Sequence, residues 1–195
     1  MPSDLPSLLA RLPGFPVLTG QRVRLRAPSA GDVTDVFALF SDPGVARYGN
    51  GAPMQAQAQA EGRIDEMQDA FARRDMIHWL VADRRGDVAI GSCTLFRFDA
   101  RHRSAEVGYA LRSDRWGRGL AAEAVALALD WGFRTLSLQR IEAGIDPRND
   151  ASRRLLERLG FRREDPPREG FLAGDEADDS ERYGLLAQAW REQAR

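Results

Sequence analysis

Arg115-Trp116-Gly117-Arg118-Gly119-Leu120-Ala121-Ala122-Glu123-Ala124 joins a strand-like run at residues 105–111 to a long apolar helical pattern at residues 120–133. Two glycines one residue apart let a backbone turn tightly and bring its N–H groups close to a ligand. The first N–H groups of the helix that follows have no partner inside it and point to the same place. An anion bound there gains hydrogen bonds and the positive end of the helix dipole. Glycines at a strand-to-helix turn also occur for steric reasons alone, so the flanking sequence has to decide.

Upstream lies Glu106-Val107-Gly108-Tyr109. Downstream come a second strand-like run, Arg140-Ile141-Glu142-Ala143-Gly144-Ile145, then Asn149-Asp150-Ala151-Ser152, and then Leu155-Leu156-Glu157-Arg158-Leu159-Gly160-Phe161. This order resembles the GNAT N-acetyltransferases, and within them the branch similar to the Rim-type acetyltransferases of ribosomal-protein N-termini. The resemblance runs from about Leu18 to Trp190, and Leu18-Thr19-Gly20-Gln21-Arg22-Val23-Arg24-Leu25-Arg26 is similar to that branch's first strand. It implies a mixed α/β fold with a curved, mostly antiparallel central sheet flanked by helices, and a glycine turn that binds the pyrophosphate of acetyl-CoA. Cofactor contacts are then expected at Val107, Tyr109, Leu111, Trp116, Gly117, Arg118, Gly119, Leu120, Ala121, Ala122 and Asn149. The acceptor it implies is a primary amine: a protein N-terminal α-amine first, with a small amine such as an antibiotic or polyamine as the alternative. A non-catalytic acyl-CoA-binding module is the rival of a different class.

The 195 residues fit one domain, residues 16–195, with residues 1–15 as an appendage. With 43% hydrophobic and 29% charged residues the chain reads as globular, and a formal charge of -1 gives general nucleic-acid binding little support. All 28 basic residues are arginine, which suits phosphate contacts. The single Cys93 cannot form an internal disulfide, and no Cys/His cluster has the spacing of a metal site. Without a leader-like N-terminus or a run of membrane-spanning length, the expectation is a cytoplasmic protein with no membrane partner; a homodimer is compatible with the sequence.

Along the chain, Leu8, Leu9 and Leu12 lie on a possible helical stripe between prolines, and a strand is expected over residues 17–27, with Val23 and Leu25 alternating against arginines. Ser29-Ala30-Gly31-Asp32 offers a helix start, and Asp42-Pro43 a stop. A loop over residues 43–53 and a helix over 54–74 follow, with Ile64, Met67 and Phe71 on its apolar face. The resemblance places these two helices and their loop over the acceptor side. A hairpin is expected from residues 79–83 and 88–98, a helix over 150–159 closed by Gly160, a polar loop over 166–179, and a last strand over 181–189.

Glu106 is the leading general-base candidate, because desolvation beside a cleft can move a carboxylate toward the range useful for taking a proton from an ammonium. The plainer alternative is a glutamate paired with an arginine such as Arg103. If Val107 and Tyr109 face the core, alternation turns Glu106 the other way, where the family keeps its substrates. The resemblance also implies that the strands at residues 107–111 and 140–145 splay apart, leaving backbone groups for the thioester oxygen and the pantetheine amides. Asn149 matches the family's asparagine near the pantetheine, and Ser152 is a candidate for protonating the departing thiolate; each also serves as an ordinary helix-start residue. Two positions depart from the broader family, which has glutamine or arginine where this chain has Trp116 and a tyrosine, the usual general acid, where it has Leu156. Trp116 covering the cofactor, Arg118 contacting its phosphates, His78, His102, Tyr183 and an acidic group at Asp175, Glu176, Asp178, Asp179 and Glu181 complete the candidates.

Overall fold

Gly20 turns the first expected strand back on itself. In the computed structural model, which describes residues 4–49, 51–164 and 180–193, this region is a hairpin of β1 (Leu18–Thr19) and β2 (Val23–Arg26), with Leu18 opposite Leu25. A Cβ at Gly20 would stand 2.5 Å from Glu123 Oε1, so the chain passes this close to the carboxylate only as glycine. The alternation survives the correction. Val23 and Leu25 are fully buried while Arg24 and Arg26 are half-buried.

The other strands are β3 (Ile77–Asp83), β4 (Ala89–Asp99), β5 (Ser104–Leu111), β6 (Arg140–Ile145), β7 (Arg162–Glu164) and β8 (Glu181–Leu186). Among the described residues they form one sheet in the order β1-β2-β3-β4-β5-β6-β8-β7, antiparallel throughout except where β5 and β6 run parallel. The helices are α1 (Leu5–Ala10), α2 (Val33–Phe40), α3 (Pro43–Ala46), α4 (Gln57–Ala72), α5 (Leu120–Arg134), α6 (Asp150–Arg158) and α7 (Ala187–Gln193). The expected mixed α/β architecture is therefore the one observed. None of these helices is long and apolar enough to cross a membrane.

Three local expectations shift. The loop over residues 43–53 contains α3, whose start is fixed by Asp42 Oδ1 accepting the Gly44 N–H. The helix over 54–74 is trimmed to α4, with Ile64 and Met67 buried. The last strand ends at Leu186, opposite Arg140 at the start of β6; with no partner left to pair, the chain turns into α7. The loop expected over 166–179 lies outside the described residues.

Strand alternation sends Trp79, Cys93, Leu95 and Val107 to one face of the sheet, where they meet Val125, Ala128 and Leu129 of α5 and Leu156 of α6. Leu5 and Leu9 of α1 are buried in this same core, and Trp79 Nε1 donates to the Pro16 carbonyl at 2.8 Å. On the other face Leu80 and Ala89 pack against Val36, Ala60 and Ile64 of α2 and α4. That second face continues by register from Leu80 through His78, Thr94 and Gly108 to Glu106. Beyond Leu80 it is polar, and there it becomes the wall of a cleft.

Candidate active site

β5 and β6 part company early. Their parallel pairing covers only Ser104–Glu106 against Arg140–Glu142; beyond it residues 107–111 keep β4 as a partner while residues 143–145 of β6 pair with β8. One edge of β5 is thus left without a strand from Val107 to Leu111. It opens into a cavity of about 1420 Å³ that also reaches Gly144. Buried backbone N–H and C=O groups need partners, so a free edge lining a cavity is suited to a ligand with amides of its own. Trp116 Nε1 donates to the Leu111 carbonyl at 2.6 Å and so takes the last acceptor of that edge.

At the far end of this edge sits the glycine turn. Gly117 and Gly119 both have φ +72°, and Gly119 is the left-handed residue from which α5 starts. A Cβ on Gly117 would meet nothing within 4 Å, whereas one on Gly119 would meet Arg22 Nη2 at 3.4 Å. Behind the turn Arg22 donates from Nη1 to the Arg118 carbonyl at 2.7 Å and from Nη2 to the Gly119 carbonyl at 3.3 Å. It also binds Glu123, through Nε to Oε2 at 2.8 Å and its backbone N–H to Oε1 at 2.7 Å. Burial pushes the Glu123 carboxyl up, but these contacts with Arg22 outweigh it and hold the group below its ordinary range. With two of its carbonyls held from behind, the turn is fixed beside the cavity that Gly117 and Gly119 line.

Sequence reasoning put Arg22 only on the wet face of a strand. The overlooked signal is Glu123 itself: a carboxylate in the first turn of a helix meant to receive an anion requires a cation beside it. We predict that Arg22→Met weakens the binding of an anionic ligand at the turn about tenfold, since it loosens the turn's backbone. Titration of the folded variant with inorganic pyrophosphate checks this, and an unchanged affinity removes the latch. Arg118, by contrast, does not line the cavity as expected. Its Nη2 turns back to the Asp114 carbonyl at 3.2 Å, and Arg115 lines the cavity instead.

Glu106 lies at the other end of the free edge, only 4% exposed. Its Oε1 accepts from Arg97 Nη1 at 2.9 Å, with Arg182 Nη1 at 3.6 Å. The ion pair foreseen with Arg103 is made by Arg97, because the β4–β5 register shifts between Phe96 and Asp99 and carries Arg97, at φ 51°, over the glutamate. Glu106 is thus both a paired carboxylate and a cavity-lining one.

His78 lines the same cavity, and its Nε2 is buried with no hydrogen-bond partner among the described residues. Burial, helped by the charge of Arg63, pushes its pKa down to about 3. A folded value below the ordinary 6.5 means stability is complete above about pH 6.5 and is lost as pH falls toward 3. We predict that His78→Gln flattens the acid side of the unfolding curve over that window, by up to about 5 kcal/mol at its lower end. Denaturant titrations at stepped pH measure it, and an unaltered slope assigns the acid sensitivity elsewhere.

On α6, Asn149 Oδ1 caps the helix by accepting the Ser152 N–H at 3.0 Å. Ser152 Oγ lies 2.5 Å from Tyr109 OH. Cys93 is fully buried in the main core, and burial pushes its thiol up to about 12. The structure therefore gathers Glu106, Val107, Tyr109, Leu111, Trp116, Gly117, Gly119, Leu120, Ala121, Ala122, Asn149 and Ser152 around one cavity. His102 stands apart in an exposed turn with Asp99, and Tyr183 is buried in the core with its OH on Glu181. Of the acidic group, Asp175, Glu176, Asp178 and Asp179 lie outside the described residues, while Glu181 is paired with Arg153 and Arg163.

Comparison with known proteins agrees with this geometry. Residues 22–162 match the family model described as an acetyltransferase (GNAT) domain. The chain is 34% identical over 144 residues to the uncharacterized N-acetyltransferase p20 of Bacillus licheniformis, covering 74% of this chain and 81% of that protein. It is 29% identical over 140 residues to the spermidine N(1)-acetyltransferase of Escherichia coli K12, covering 71% of this chain and 72% of that one. The solved structure of Mycobacterium smegmatis RimJ in complex with CoA-disulfide superposes with a TM-score of 0.76 at 23% identity, over 93% of this chain and 96% of that one, a likeness of fold. The chain belongs to the GNAT acetyltransferases, enzymes that transfer an acetyl group to an amine.

Proposed function

We propose that the donor is acetyl-CoA, that the acetyl group passes directly to the acceptor, and that the acceptor is a peptide N-terminal α-amine. The observation that carries this reading is the free edge of β5, which runs from the glycine turn to a buried carboxylate. Residues 106–111 span roughly 16 Å as a strand. A donor whose phosphates sit on the N–H groups at Gly117 and whose amides pair along residues 107–111 has its thioester beside Glu106. The residues fit such a group: the space over Gly117 is open, and the edge has backbone donors and acceptors to spare.

Bound acetyl-CoA supplies the acetyl group as a thioester. Glu106 then takes a proton from the incoming ammonium, directly or through a water, and an N–H of the free edge holds the thioester oxygen as negative charge grows on it. The chain's only thiol, Cys93, is buried away from the cavity and stays protonated, so it does not serve as a nucleophile.

Arg47, Arg63, Arg97 and Arg182 line the cavity together with the carboxylates Glu106 and Asp146, and Asp146 is already paired with Arg148, so positive charge prevails on this surface. This surface repels a polycation and tolerates a peptide amine, which carries a single positive charge. A panel of acceptors tests the reading: short peptides with free α-amines, spermidine and an aminoglycoside, each with acetyl-CoA. Turnover of the peptides is expected. Turnover of spermidine or the aminoglycoside without the peptides replaces the peptide acceptor with a small amine.

A further inference from the structure

Acetyl transfer leaves negative charge on sulfur, and Leu156, fully buried, offers nothing to receive it. Building on the thioester donor proposed above, we infer that Tyr109 is a positioning residue: its phenol O–H donates to Ser152 Oγ and so directs the Ser152 O–H into the cavity, onto the departing thiolate.

The two hydroxyls come from different elements, 43 residues apart, and meet at 2.5 Å across the gap where β5 and β6 have separated. Both residues line the cavity, and no other hydrogen bond to either hydroxyl is found among the described residues. The direction of the bond follows from chemistry. A phenol is a better donor than an alkyl hydroxyl, and burial raises the Tyr109 pKa, with the Ser152 bond opposing and Cys93 adding to the rise. Tyr109 therefore keeps a proton to donate. Ser152 Oγ, once an acceptor, still holds its own hydrogen, which must find a different partner. The nearby cap oxygen of Asn149 is already engaged by the Ser152 N–H.

Position favours the same reading. Ser152 and Leu156 are four residues apart on α6 and share a face, so the hydroxyl stands one turn nearer the positive end of the helix than the leucine does. In the step itself the amine nitrogen bonds to the carbonyl carbon, and the C–S bond breaks with its electron pair going to sulfur. The amine's proton passes to Glu106 or water. Ser152 lends a hydrogen bond but keeps its proton, and the thiolate, from a thiol of pKa about 8.5, is protonated later by water.

The test uses the full chain with acetyl-CoA and with acetyl thioesters of pantetheine-like thiols of graded acidity. Tyr109→Phe is expected to lower kcat about tenfold with acetyl-CoA at unchanged KM, and the loss is expected to shrink as the leaving thiol becomes more acidic. Ser152→Ala should show the same dependence, and combining the two should cost no more than either alone. An equal loss with every donor, or no loss, overturns the proposal. Should Tyr109→Phe fail to fold, Ser152→Ala against Ser152→Thr applies the same criterion. A wild-type protein that turns over none of these donors with any amine removes the thioester reading beneath it, an outcome distinct from turnover with a uniform loss.

Discussion

Gly117→Val is expected to raise the dissociation constant for the proposed donor, acetyl-CoA, on the order of a hundredfold, with the fold intact. Two effects add. A residue with a Cβ held at the φ of +72° seen here costs about 1–2 kcal/mol, and to the extent that the free turn relaxes to escape that strain, binding must restore it. The Cβ itself meets no protein atom within 4 Å and so projects into the open space above the turn. An anion kept off the backbone there loses charge-assisted hydrogen bonds of about 1.5–3 kcal/mol each, and every 1.4 kcal/mol is a factor of ten in affinity. Gly119 is the less clean position, since its Cβ would touch Arg22 Nη2, part of the latch behind the turn, at 3.4 Å. Titration calorimetry on the folded variant decides the matter; an unchanged affinity removes the phosphate cradle.

The elements legible in the sequence are those set by their neighbours in the chain. The glycine turn, the strand before it and the helix after it each carry a local period or a local conformational demand, and Ser104–Leu111 and Leu120–Arg134 fall within a residue of expectation. Contacts that close over long stretches of chain were not legible. Arg22 and Glu123 lie 101 residues apart, and neither sequence neighbourhood shows that they meet. Arg97 was missed for a subtler reason: a register shift near the β4–β5 turn substitutes it for Arg103, and a bulge leaves no mark in a pattern of alternating side chains. In the sequence residues 17–27 present one strand with Val23 and Leu25 alternating against arginines, while the steric demand at Gly20 that folds it into a hairpin comes from a carboxylate on a distant helix. Ser152 is legible as a hydroxyl in a helix's first turn, but nothing in the sequence joins it to Tyr109, 43 residues away.

Glu106→Gln separates a proton-accepting role from a structural one. Glutamine matches the shape of glutamate, and its carbonyl oxygen can still accept from Arg97 Nη1, so the wall of the cavity keeps its form. It cannot take a proton. We expect kcat to fall on the order of a hundredfold while the acetyl-CoA dissociation constant stays the same, because the glycine turn proposed to hold the phosphates is at the opposite end of β5. The pH profile is the sharper observation. In the wild type the rate should rise with pH along a limb that reports removal of the amine's proton, and in the variant, which has lost the acceptor for that proton, the limb should shift or flatten. Arg97→Met gives the counterpart: it removes the guanidinium from Oε1 and keeps the carboxylate, so activity should persist. A Glu106→Gln enzyme with nearly full activity and an unaltered limb assigns Glu106 to the ion pair with Arg97 and Arg182. Catalysis would then rest on holding the amine against the thioester and on the backbone N–H at the free edge of β5.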